Sequence, residues 1–72
     1  MNPATIQRIS YAWEYHNLRT PRHILNISAE SGAWPGTVYK ALAQGYLERT
    51  SSAHYRPTEK MVEEIIRIER LR

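Results

Sequence analysis

Gly32-Ala33-Trp34-Pro35-Gly36-Thr37-Val38-Tyr39-Lys40-Ala41-Leu42 holds the end of one helix, a turn and the start of the next. Gly32 stops the preceding segment, whose Ile24, Leu25 and Ile27 follow a helix-start signal at Thr20-Pro21. Trp34-Pro35 puts proline in a first helical turn, where its missing N–H costs nothing. The helix so begun runs over 35–44 to Gly45, the residue type that most easily takes the left-handed conformation at a helix end. Within it Val38, Ala41 and Leu42 share a face and are expected in the core. Thr37, Lys40 and Gln44 line the opposite side.

Working upstream, Asn2-Pro3 offers a capping side chain followed by proline at the first helical position. Ile6, Ile9, Trp13 and His16 then recur at helical spacing, with Tyr11, Tyr15 and Leu18 alongside, giving a first amphipathic helix with a wide apolar face. Downstream the period changes. Tyr46-Leu47-Glu48-Arg49-Thr50 alternates as a strand, Ser51-Ser52-Ala53 is a loop, and His54-Tyr55-Arg56 returns as a second strand. Thr58 caps a last helix over 59–71, with Met61, Ile65 and Ile68 on one stripe and Val62 and Ile66 on another. Glu63 and Arg67 are spaced for an i, i+4 pair on its solvated side. The expected fold is mostly α with a small β-hairpin: three helices, a two-stranded hairpin and a C-terminal helix, in one domain spanning 1–72.

The chain has 72 residues and no cysteine, so neither disulfides nor a thiolate metal site can brace it. His16, His23 and His54 lack metal-ligand spacing, and no metal or cofactor is expected. No apolar run approaches a membrane span and no secretion signal is evident, which predicts a cytoplasmic protein without a membrane partner. The formal net charge of +3 is concentrated in the middle, where Arg19, Arg22, Lys40, Arg49 and Arg56 face only Glu30 and Glu48. A basic middle between neutral flanks suggests an anionic partner. Catalysis is not expected. There is no aspartate, no glycine-rich phosphate loop, and no nucleophile with a base at suggestive spacing.

The stretch 32–42 resembles the turn and recognition helix of bacterial regulators of the PadR, GntR and MarR kinds. Gly45-Tyr46-Leu47-Glu48-Arg49 is similar to their entry into the wing, and Tyr55-Arg56-Pro57-Thr58-Glu59-Lys60 to its exit. The likeness covers about residues 20–60. Trp34 stands where such regulators usually carry Ser or Thr. The resemblance implies a winged helix-turn-helix that binds double-stranded DNA, in a small transcriptional regulator or a phage or plasmid accessory factor. It puts the recognition helix 35–44 in the major groove and the wing 46–56 on the backbone or minor groove.

On that reading Gly36, Thr37, Tyr39 and Lys40 are the groove candidates, with Lys40 more suited to phosphate than to guanine. Gln44 can match an adenine edge, or simply belong to a solvated face. Arg49, Ser51, Ser52, His54 and Arg56 sit on or beside the wing tip. Arg22, in the first turn of the second helix, would hold phosphate together with that helix's N-terminal N–H groups. Trp34 has two readings, of which sealing the core is preferred over contact with a sugar or thymine methyl. Val62, Ile66 and Glu69 are the candidates for a homodimer through the last helix; alternatively both its stripes fold onto the first helix. The competing function is a winged helix repurposed for protein contact, without DNA binding.

Overall fold

Asn2 caps the first helix as its sequence predicts, its side chain accepting a hydrogen bond from the Ala4 N–H at 2.7 Å. In the computed structural model, which describes residues 1–71, this helix, α1, covers Pro3–Ser10. It does not continue towards His16. The chain tightens into one 3-10 turn, Tyr11–Trp13, and folds back so that the Trp13 indole N–H donates to the Thr20 carbonyl at 2.8 Å. A buried indole needs such an acceptor, and the helix must stop for it to be within reach. Ile6, Ile9 and Trp13 are buried as expected, whereas His16, Tyr11 and Tyr15 are exposed.

The start signal at Thr20-Pro21 is overridden. Arg22–His23 is extended and forms a strand, β1, and the helix α2 begins only at Ile24 and ends at Ser31. Its cap is the His23 ring, whose Nδ1 accepts from the Leu25 N–H at 3.1 Å. Long-range pairing won over a local signal here, because β1 finds a partner strand for backbone groups that a helical first turn would leave unpaired. Gly32 closes α2 with φ of 75°, and α3 follows over Pro35–Ala43 with Gln44 and left-handed Gly45 at its end.

The hairpin is formed by β2, Leu47–Arg49, and β3, His54–Pro57. Where two strands were expected there are three, in the order β1-β3-β2, all antiparallel, so that β3 is central. The last helix, α4, covers Glu59–Arg70 behind the Thr58 cap. Thr58 also donates its hydroxyl to the Gly45 carbonyl at 2.6 Å, tying the end of α3 to the start of α4. The described residues thus form a mostly helical fold of four α-helices with a small antiparallel sheet. None of these helices is long and apolar enough to cross a membrane.

The core draws on all four helices, the 3-10 turn and the hairpin: Ile6 and Ile9 come from α1, Trp13 from the 3-10 turn, Ile24 and Ile27 from α2, Val38 and Ala41 from α3, Leu47 and Tyr55 from the hairpin, and Met61 from α4. Leu42, Ile65 and Ile68 pack against it half-buried. The outer stripe of α4 is less covered, with Val62 half-buried and Ile66 46% exposed. The expected Glu63–Arg67 pair is replaced by Glu64–Arg67, one residue closer. The Arg67 guanidinium, hydrogen-bonded to Glu64, holds that carboxyl below the usual carboxylate range.

Candidate nucleic-acid interface

With Val38 and Ala41 turned inwards, the 100° step of α3 puts Gly36, Lys40 and Ala43 along the middle of its outer face. Lys40 is exposed and has no ion-pair partner among the described residues. The space beside Gly36 is open: a methyl group there would meet no heavy atom within 4 Å. Tyr39 leans to the sheet, its ring edge-on to Tyr55 with centroids 6.3 Å apart. Thr37 and Gln44 turn the other way, towards α1.

Side chains alternate across a sheet, and this divides the basic residues of the hairpin. Arg49 is paired across the ladder with buried Tyr55, and Glu48 with Arg56. On the Tyr55 face, Arg49 donates from Nη2 to the Tyr55 hydroxyl at 3.1 Å, and its guanidinium lies 5.4 Å from the ring centroid. Arg49, Tyr55 and Tyr39 therefore join the hairpin to α3. Arg56 is on the other face, where its Nε donates to Glu48 Oε1 at 2.6 Å. His54 shares that outer face: its ring stands edge-on to His23 at 5.3 Å and its Nδ1 lies 2.8 Å from the Ser51 hydroxyl. Ser51 and Ser52 are exposed at the tip.

Arg22 lies in β1 and not in a helical turn, and its side chain is only 12% exposed. Its Nη1 donates to the Ala12 carbonyl at 2.6 Å and pairs with Glu30, so this guanidinium braces α2 against the 3-10 turn. The N-terminus of α2 is also occupied. Ile24 N–H donates to the Ala53 carbonyl at 2.8 Å and Leu25 N–H to His23. The phosphate role expected of this corner is thereby displaced by internal bonds. Gln44 Oε1 accepts from the Met1 amino group at 2.9 Å, and reading an adenine would require that bond to break. Of the five cations in the basic middle, two are paired with its two glutamates; Arg19, Lys40 and Arg49 carry the excess.

Trp34 is not in the core. It precedes Pro35 with no side-chain cap bond and is 81% exposed. Small residues, Gly32, Ala33, Pro35 and Gly36, surround it in sequence, and Ala33 is the one that turns inwards. Two clefts of about 220 and 280 Å³ run along the seam between α1 and α3, sharing Thr5 and Thr37, and Trp34 lines the first. Arg8 borders the first and Lys40 the second, and among the described residues no acidic one borders either. Arg8 and Thr5 escaped the sequence reading because the segment charges of Arg8 and Glu14 cancel, although these two form no ion pair among the described residues. A helical wheel of α1 puts Arg8 away from the Ile6–Ile9 stripe and Thr5 at its edge, and that was the available signal.

A larger hollow of about 470 Å³ lies on the outer face of the sheet, where Arg19 and Arg56 are balanced by Glu48 and Glu59 around Leu18 and Val62. On the α3 side, cations without an ion-pair partner among the described residues stand beside aromatic side chains. No family model, curated protein or solved structure matches the chain.

Proposed function

We propose that the protein binds double-stranded DNA as a winged helix-turn-helix, with α3 in the major groove and the β2–β3 hairpin as the wing. The observation that carries this reading is the line of side chains from Lys40 through Tyr39 and Tyr55 to Arg49, with neither cation in an ion pair among the described residues. Lys40 suits a phosphate at the groove edge, and Gly36 leaves the outer face of the leading end of α3 bare enough for base edges. The order of elements agrees with this plan: helix, helix, glycine turn, helix, hairpin.

The test is fluorescence anisotropy with labelled duplexes and sheared genomic DNA across a salt series. Binding should weaken linearly in log K against log salt, and Lys40→Ala combined with Arg49→Ala should flatten the slope by about two phosphates' worth, ~0.9 each. A chain that shows no salt-dependent binding to any duplex supports the other reading, a winged helix that contacts protein.

Pairing of two copies through Val62, Ile66 and Glu69 on the outer stripe of α4 belongs to the same proposal. An antiparallel pair centred near Ile66 would set Glu63 of one copy against Arg70 of the other, and neither has an ion-pair partner among the described residues. Sedimentation at micromolar concentration should then find two copies, and Ile66→Glu a folded monomer. A dimer would prefer half-sites about one helical turn, ~34 Å, apart.

A further inference from the structure

We infer that Trp34 is a stacking platform for one DNA base released from its helix, with Arg8 holding the phosphate beside it. This rests on the DNA-binding reading and adds a contact that α3 and the hairpin do not make. Trp34 is 81% exposed, so its indole faces lie open to solvent. Its neighbours Gly32, Pro35 and Gly36 are small and exposed, which lets a nucleic-acid strand come close. The adjoining cleft of about 220 Å³ holds roughly seven times the ~30 Å³ share of one water molecule, enough for a planar ring. Arg8 borders it too, a cation without an ion-pair partner among the described residues, and Thr5 and Thr37 also line it. An open aromatic face beside an unmatched cation, with no acid on the cleft, fits the chemistry of a nucleotide: a π-face joined to a negative charge. A paired base inside the duplex offers no free face, so the ring that stacks here must be unpaired or flipped out.

The molecule supplies its own reporter. Trp13 is 2% exposed and Trp34 81%, so only Trp34 emission should respond to a ligand at the surface. Duplexes with and without a single unpaired base are titrated into the wild-type chain, Trp34→Phe, Trp34→Ala and Arg8→Ala. The expected result is quenching of the exposed emission, absent in Trp34→Phe, which retains only Trp13. The duplex with the unpaired base should bind more tightly, and Trp34→Ala should abolish that preference with a loss of about 5- to 150-fold, the range of one base–aromatic stack. Trp34→Phe should keep part of it. Arg8→Ala should flatten the salt slope by ~0.9 and leave the quenching in place. Duplex binding with unchanged emission and unaltered affinity in Trp34→Ala overturns the stacking role and leaves the DNA reading standing. Quenching without preference for the unpaired base overturns it too, because an indole resting on a sugar needs no released base. Absence of binding to any DNA removes both.

Discussion

Arg49 and Arg56 belong to one hairpin, yet they differ in everything that decides whether a guanidinium meets DNA. Arg49 lies on the Tyr55 face beside α3 and has no acidic partner among the described residues; Arg56 is on the outer face, bonded to Glu48 at 2.6 Å. We expect Arg49→Ala to weaken binding to all duplexes alike and to flatten the log K against log salt slope by ~0.9, while Arg56→Ala changes the slope little. Equal effects at both positions would mean that the outer sheet face also touches DNA. Gly36→Ala is a second probe. With no heavy atom within 4 Å of the added methyl, its stability should be unchanged or slightly higher, so any lost affinity reports the approach of DNA to α3. At this scale the sequence was only half legible. Lys40 and Gly36 could be put on the outer face by counting from Val38. The pairings of Arg22 with Glu30 and Arg56 with Glu48 depend on strand contacts that no spacing rule reveals. Trp34 misled because burial of large apolar residues is a tendency and not a requirement.

Helix ends were legible wherever the signal was local. Asn2 and Thr58 cap as their residue types suggest, and Gly32 and Gly45 take the left-handed conformation. The start of α2 was not, because its cap is a histidine and the preceding strand has two residues and no periodicity. This gives a prediction for the element. His23→Ala should remove the bond to the Leu25 N–H and lower stability by about 0.5–2 kcal/mol in urea unfolding, while His23→Asn, a better capping residue, should restore most of it. An alanine variant as stable as the parent would show that strand pairing alone holds this corner. On α4, the Glu64 carboxyl is held low by Arg67, so its contribution is present above the ordinary carboxylate pKa and is lost as pH falls through the lowered value. Arg67 is exposed and Glu64 half-buried at the surface, where solvent screens the pair, so Glu64→Gln should alter the acid limb of a stability profile only slightly.

At the scale of the whole molecule, α1 and α4 lie together and Met61 reaches the common core, so both ends of the described chain close the same interior. Met61→Ala should therefore cost about 2–5 kcal/mol and lower the midpoint of the entire transition. Ile66→Glu should leave the fold near its original stability, since that side chain is 46% exposed. Charge at this scale is modest, a net +3, and salt should govern association more than stability. The central position of β3 has a consequence in time. His23 pairs with His54, and the first N–H of α2 bonds to Ala53. When the chain is made from its N-terminus, residues 22–24 must wait for 53–55, roughly 2–6 s at ~5–20 residues per second. During that interval Ile24 and Ile27 lack the sheet residues Leu47 and Tyr55 that share their core. The α2–α3 pair is synthesised before the strand that completes its surroundings, and a nascent chain paused between them and β3 presents its future interior to whatever is nearby.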